Sequence, residues 1–184
     1  MTAAVLLCAG GSSRFTSDRS KLLAPFRGRP LVSWALEHVV AACLDETIVV
    51  VGPTDLTGLL PVDAIVVASP AWESGQALSL LAGIAAAEAR GHEAVVVGLG
   101  DQPLVPPEAW TAVADTQSDI AMASFDGRRT PPTRLARAVW SMLPPSGDVG
   151  ARALMQARPD LVQVVPCPGE ALDIDTVDDL VQWS

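Results

Sequence analysis

The chain has 184 residues, of which 49% are hydrophobic and 18% charged, and its formal net charge at pH 7 is −9. This length suits one domain covering residues 1–184, and the acidic balance argues against nonspecific binding to nucleic acid or to anionic membranes. The three cysteines form no CxxC pair and no apolar run reaches the roughly 18 residues of a membrane span, so we expect a cytoplasmic protein with free thiols.

Short apolar runs rich in β-branched residues predict strands along the whole chain. They are AAVLLCA (3–9), TIVVVG (47–52), DAIVVA (63–68), EAVVVGL (93–99), DIAMAS (119–124) and LVQVVPC (161–167). Most are continuously apolar rather than alternating, which is typical of strands covered on both faces of a parallel sheet.

Helical patterns separate these strands. They cover 31–44, 76–90, 106–117, 133–142 and 149–158, and a last helix starts at Thr176. Thr176 and Asp179 fit a capping box at that start, and Asp148 is placed to cap the helix from Val149. Strands alternating with helices predict an α/β fold with a mostly parallel sheet and right-handed crossovers.

In such sheets the ligand crevice lies beyond the carboxyl ends of the strands. Three segments with unusual chemistry follow predicted strands, namely 10–14, 69–75 and 100–103. The first, in LLCAGGSSRF, fits neither GxGxxG nor the Walker pattern GxxxxGK[ST]. Five of the 12 Lys and Arg residues nevertheless lie within 16 positions there, namely Arg14, Arg19, Lys21, Arg27 and Arg29. This concentration suits a polyphosphate, and a solvated loop with a glycine corner is the alternative.

Carboxylates follow two later segments. Asp101 follows EAVVVGL after Gly100, where it is placed to hold Mg²⁺, and an Asx-turn before Pro103 is the alternative. Asp173 and Asp175 in DIDTVDDL alternate, so they share one face of an extended segment. Trp72, in the loop before Gly75, is a candidate for lining a ligand.

These motifs, in this order, resemble the MobA-like nucleotidyltransferases. LLCAGGSSRF, Lys21 and GRPL (28–31) resemble the opening signature of that family, and GDQP (100–103) resembles its Gly-Asp-x-P. WESGQALSL (72–80), GDVGAR (147–152) and DIDTVDDL (173–180) resemble the molybdenum cofactor cytidylyltransferase branch. The resemblance implies a Rossmann-like three-layer α/β sandwich of the nucleotide-diphospho-sugar transferase type. It also implies transfer of NMP from an NTP to a phosphorylated acceptor.

The resemblance also assigns roles to single residues. Arg14 and Lys21 contact the triphosphate in a loop that includes Gly11, Ser12 and Ser13. Asp101 holds Mg²⁺, and Asp175 is the best match for a second metal ligand, with Asp173 nearby. The base and ribose contacts are assigned to four positions, namely Ala9, Gly10, Gly75 and Ser79.

Ala9 bears on the choice of base, because cytidylyl-transferring members read L-A-A-G where guanylyl-transferring members read L-A-G-G. Here the segment reads LCAG, and together with Phe15 it favours CTP as the nucleotide. The resemblance then implies Mo-molybdopterin as the acceptor and a molybdoenzyme or its chaperone as the recipient of the product. Thr16 and TPP (130–132) depart from the family pattern, which has Gly and Gly-His-Pro there. The rivals are a guanylyltransferase or a transferase for another phosphorylated acceptor, a noncatalytic pterin carrier, and an NAD-dependent oxidoreductase that the missing GxGxxG disfavours.

Overall fold

A seven-stranded sheet forms the centre of the fold. The computed structural model describes residues 1–10, 20–69, 72–148, 150–170 and 172–183. The strands are β1 (Thr2–Cys8), β2 (Pro25–Phe26), β3 (Arg29–Pro30), β4 (Glu46–Val51), β5 (Ile65–Ala68), β6 (Ala94–Leu99), β7 (Ile120–Phe125), β8 (Arg128–Ala136) and β9 (Val162–Pro166). The helices are α1 (Leu31–Ala41), α2 (Gln76–Ala89), α3 (Pro107–Ala114), α4 (Arg137–Trp140), α5 (Arg152–Ala157) and α6 (Val177–Trp183).

The strand order is β5-β4-β1-β6-β8-β7-β9, and β2 and β3 form a separate small ribbon. Neighbouring strands run parallel except at β8, which is antiparallel to both β6 and β7. The predicted α/β fold with a mostly parallel sheet is therefore confirmed. The chain extends the sheet from β1 through β4 to β5 and then crosses back to β6 on the other side of β1. Open sheets bind ligands at such a switch point, outside the carboxyl ends of the strands.

Helices cover both faces of the sheet. Ala4 and Leu6 of β1 belong to a buried cluster with α1 and α3, whereas Val5 and Leu7 pack in a second cluster with α2, α4 and α5. Successive side chains of a strand point to opposite faces, so one continuously apolar strand supplies both clusters. Cys8 is buried in the first cluster, and this burial raises the pKa of its thiol.

The hairpin β7–β8 corrects one prediction. Residues 133–136, expected to begin a helix over 133–142, belong to β8, and α4 covers only Arg137–Trp140. The reversal between β7 and β8 is set by Asp126 and Gly127, whose φ angles of 48° and 84° are those of a type I′ turn. Asp-Gly directly after a strand is a hairpin signal, and here it outweighs the weak helical pattern.

The C-terminal segment packs on the β2–β3 ribbon through a third buried cluster. Phe26, Leu31 and Ile174 are completely buried there, with Leu180 and Trp183 of α6 packed against them. The predicted capping box at α6 is confirmed. None of the helices in the described ranges is long and apolar enough to cross a membrane.

Candidate active site

A cavity of about 680 Å³ lies at the carboxyl ends of β1 and β6, and we call it the first cavity. The predicted site residues that line it are Ala9, Gly10, Lys21, Gly75, Ser79, Asp101 and Asp175. Trp72 and Asp173 line it as well. Gly11, Ser12, Ser13 and Arg14 lie outside the described residues. Segments far apart in sequence thus meet where the sheet topology places a ligand.

Lys21 joins the two predicted metal-binding carboxylates. Its Nζ lies 2.7 Å from Asp101 Oδ2 and 3.1 Å from Asp175 Oδ1. Burial alone lowers the pKa of the Lys21 ammonium, but the charges and hydrogen bonds of the two aspartates outweigh that effect and raise the pKa. The ammonium is therefore charged at neutral pH, and it partly neutralises two negative side chains that face one cavity.

Local structure fixes Lys21 and Asp175. Lys21 begins a single 3-10 turn, Lys21–Leu23, whose middle residue Leu22 is buried against the β1 core. Ile174 is completely buried, and its N–H donates to the Asp101 carbonyl over 3.2 Å. The backbone of the next residue, Asp175, donates to Asp179 Oδ2 in the capping network of α6. The apolar anchor and the helix cap thus hold Asp175 beside Asp101.

Asp173 has a different environment from Asp175. Its carboxylate accepts hydrogen bonds from Gln102 Nε2 at 2.7 Å and Arg128 Nη2 at 2.9 Å. Gln102 is buried and also donates to Thr130 Oγ1 at 2.9 Å. Burial raises the Asp173 pKa, against the lowering effect of the hydrogen bond from Gln102. Gln102 was not predicted as a site residue, and its position between Asp101 and Pro103 in GDQP is the sequence signal for it.

The carboxylates fit a magnesium ion that shares its ligands with a substrate. Asp101 Oδ1 is buried and makes no hydrogen bond with the described residues. Those residues contain no group of three or more His, Cys, Asp or Glu side chains arranged to hold a metal. Mg²⁺ commonly takes only one or two carboxylates and completes its shell with water and substrate phosphates. Asp101 and Asp175 offer such an incomplete ligand set.

Close backbone approach shapes the other end of the first cavity. Gly75 has φ +108°, and a Cβ there would lie 2.5 Å from the Gly147 carbonyl oxygen. Next to it, the buried hydroxyls of Ser69 and Ser79 lie 3.0 Å apart. Gly75 is therefore required both by its conformation and by the lack of space.

The segment after Gly147 differs from the prediction that Asp148 caps the next helix. Helix α5 begins at Arg152, so Asp148 is not its N-cap. Asp148 instead lines the first cavity, close to the position that a Gly75 Cβ would take. Because the Asp148 carboxylate borders the cavity and caps no helix, the GDVGAR motif contributes to the cavity wall.

A second cavity of about 760 Å³ adjoins the first. The wall they share contains Leu7, Gln76, Leu99, Asp148 and Asp173. Side chains from β6, β7, β8, β9 and α5 line the rest of the second cavity. Two ligands bound in these cavities would therefore be direct neighbours.

Comparison with known proteins agrees with this architecture. The family profile of the MobA-like NTP transferase domain matches residues 4–164. Nicotine blue oxidoreductase of Paenarthrobacter nicotinovorans is 32% identical, over 96% of this chain and 93% of that protein. The purine catabolism protein PucB of Bacillus subtilis is 31% identical, over 94% and 90%. The crystal structure of Rv0371c from Mycobacterium tuberculosis gives a TM-score of 0.81 at 26% identity, over 98% of this chain and 96% of that one. Rv0371c has also been solved in complex with manganese.

Proposed function

The chain belongs to the MobA-like NTP transferase family and is a nucleotidyltransferase, and we propose that it transfers CMP from CTP to Mo-molybdopterin. The observation that carries the proposal is the Lys21–Asp101–Asp175 constellation in the first cavity, at the end of β1 beside Ala9. A lysine and two carboxylates that converge there are suited to a triphosphate and its divalent cation.

In the proposed reaction an anionic phosphate oxygen of the acceptor attacks the α-phosphorus of CTP. A new P–O bond forms to the acceptor, and the bond between the α-phosphorus and the oxygen bridging to the β-phosphorus breaks. The electron pair leaves with pyrophosphate, and CMP becomes joined to the acceptor through a diphosphate. Because the nucleophile is already ionised, no general base is needed, and the site must supply positioning and charge neutralisation.

Different residues of this chain supply the positioning and the charge neutralisation. Lys21 supplies a positive point charge for the triphosphate, together with Arg14 of the signature loop. Asp101 and Asp175 would hold Mg²⁺, which when bound neutralises charge on the phosphates. Gly75 leaves room for the Gly147 backbone in the cavity wall, and Ser79 offers a hydroxyl to the nucleotide.

CTP is preferred over GTP in this proposal on the strength of Ala9. Ala9 is buried at the end of β1 and lines the first cavity. A Cβ on Gly52, which follows β4, would lie 2.6 Å from the Ala9 carbonyl oxygen, so the backbone is tightly confined there. The position of Ala9 in the cavity wall is therefore fixed, and the preference for CTP follows from the resemblance of LCAG to the cytidylyl-transferring members.

An oxidoreductase is the competing candidate, because one relative of similar length carries the name nicotine blue oxidoreductase. That activity requires electron transfer, which the lysine–carboxylate constellation does not provide. A noncatalytic pterin carrier would bind the acceptor without using Asp101 and Lys21.

Three measurements on the purified protein separate these functions. Thermal shift with CTP, GTP, ATP and UTP in the presence of MgCl₂ identifies the nucleotide, and we expect CTP to stabilise most. Mass spectrometry after incubation with CTP and Mo-molybdopterin should detect a CMP-linked pterin. Nicotine blue reduction with NADH or NADPH should be absent. A carrier would give no CMP-linked product, and an oxidoreductase would reduce the dye.

A further inference from the structure

Two arginines differ from the other cations in the described part of the chain. The side chains of Arg129 and Arg152 make no hydrogen bond or ion pair with the described residues, and both line the second cavity. The remaining described Lys and Arg side chains each form an ion pair with a carboxylate or donate to a carbonyl oxygen: Lys21, Arg27, Arg29, Arg90, Arg128, Arg134, Arg137 and Arg158. Two uncommitted guanidinium groups therefore face a single cavity.

The charge balance makes this arrangement informative. With a net charge of −9 the chain has more carboxylates than cations, yet these two arginines are left without one. Of the two aspartates in the shared wall, Asp173 pairs with Arg128, and Asp148, four positions before Arg152, pairs with neither Arg129 nor Arg152. Guanidinium groups bind phosphate oxygens through paired N–H donors, so two of them in one cavity indicate an anionic ligand.

Much of the rest of the second cavity is lined by apolar side chains. Its lining includes six apolar side chains, namely Val97, Leu99, Met122, Leu135, Met155 and Val164. Methionine side chains adapt to irregular ligands because they are unbranched and polarizable. A volume of about 760 Å³ lies within the usual range for small-molecule sites.

We infer that the second cavity is the acceptor site, in which Arg129 and Arg152 bind the acceptor phosphate and the apolar lining holds its ring system. This inference rests on the proposed function. Arg129 lies between Arg128 and Thr130, and both of these connect to Asp173 in the shared wall, Thr130 through Gln102. Arg152 follows Asp148 of the same wall by four positions. The phosphate is thus held on the side that faces the nucleotide cavity, where one of its oxygens can attack.

The test uses pterin fluorescence and steady-state kinetics. The probe is 6-hydroxymethylpterin monophosphate, with unphosphorylated 6-hydroxymethylpterin as its partner. The variants are Arg129→Gln and Arg152→Gln, and the matched control is Arg137→Gln, an exposed arginine that pairs with Glu88 and lines neither cavity. We expect each of the two variants to lose about tenfold in affinity for the phosphorylated pterin, as for a charge-assisted hydrogen bond. Affinity for the unphosphorylated pterin and for CTP should stay unchanged.

Kinetics supply a second readout that a merely structural role would not move. With Mo-molybdopterin as acceptor, the KM for the acceptor should rise about tenfold while the KM for CTP stays at the wild-type value. If the variants bind the phosphorylated pterin as tightly as Arg137→Gln does, the assignment is wrong. It is also wrong if wild type binds the phosphorylated probe no better than the unphosphorylated one.

Failure of the proposed function looks different. Pyrophosphate release would then be missing with every NTP, while binding of the phosphorylated pterin would still depend on Arg129 and Arg152. Loss of that dependence in a protein that does release pyrophosphate would overturn the acceptor site alone.

Discussion

Lys21 Nζ and Asp101 Oδ2 lie 2.7 Å apart although the two residues are separated by 80 positions in the chain. The same ammonium reaches Asp175 Oδ1, which comes from the C-terminal segment. This positive charge lies between the two carboxylates that we propose as metal ligands. In that proposal lysine and metal compete for these carboxylates until a triphosphate gives the ammonium a different partner.

Asp101→Asn should abolish most catalysis. The amide keeps the size of the side chain but cannot supply a negative metal ligand, so we expect turnover to fall at least roughly 100-fold, as for loss of a single electrostatic stabiliser. Pyrophosphate release at saturating substrates measures this. Asp115→Asn, an exposed aspartate that follows α3, is the matched control and should be normal. Near-normal turnover in Asp101→Asn would remove Asp101 from the mechanism.

Lys21→Gln should make the metal easier to bind without nucleotide. The variant loses the ammonium that lies between the two carboxylates, so Mn²⁺ or Mg²⁺ should stabilise it at lower concentration than wild type. Thermal shift against metal concentration, without nucleotide, measures the effect. Turnover should nevertheless fall at least roughly 100-fold, because in the proposed function Lys21 also binds the triphosphate. An unchanged or weaker response to metal would contradict competition between Lys21 and the cation.

Gly75→Ala should destabilise the wall of the first cavity. Its Cβ would lie 2.5 Å from the Gly147 carbonyl oxygen at φ +108°, and a backbone contact cannot be relieved by a change of rotamer. We expect a loss of about 1–3 kcal/mol in the free energy of unfolding, measured in urea. Gly58→Ala is the control, since it has φ +84° with nothing within 4 Å. Equal losses in the two variants would show that the close approach to Gly147 does not affect the free energy of unfolding.

Protonation of Glu46 should account for part of the loss of stability at acid pH. Hydrogen bonds from Arg90 and then His92 lower the pKa of the Glu46 carboxyl to about 2, from an ordinary value of 4.5. Because the folded-state pKa is depressed, the stabilisation is fully present above pH 4.5 and is lost as the pH falls toward 2. The free energy of unfolding should therefore fall more steeply across this window in wild type than in Glu46→Gln.

The control for that measurement is Asp63→Asn, which removes an exposed carboxylate without a hydrogen bond to the described residues. Its curve should follow that of wild type. If the wild-type and Glu46→Gln curves stay parallel from pH 4.5 to 2, the ion pair has no part in acid stability.

The fold was largely predictable because the buried parallel strands are continuously apolar. Strand β8 was missed since its residues 133–136 carry a weak helical pattern, while the pairing that makes them a strand depends on the turn at Asp126 and Gly127. A local pattern cannot decide between helix and strand when tertiary pairing supplies the hydrogen bonds.

The candidate site was likewise predicted only in part. Asp101 was predicted from its place at a strand end, and Asp175 only through a family resemblance. The bridge from Lys21 to Asp175 depends on packing of Ile174 against Phe26 and Leu31, which no local pattern contains. The second cavity was not predicted, because the hairpin that contains Arg129 was not predicted and no local pattern brings Arg129 close to Arg152.

Cytidylyl transfer is tested by pyrophosphate release from the wild-type protein with Mo-molybdopterin, MgCl₂ and each of the four NTPs. We predict release with CTP that requires both the acceptor and the metal, and clearly slower release with GTP, ATP and UTP. The Asp101→Asn protein should release roughly 100-fold less with CTP. If no NTP gave pyrophosphate, the protein would not be a nucleotidyltransferase for this acceptor.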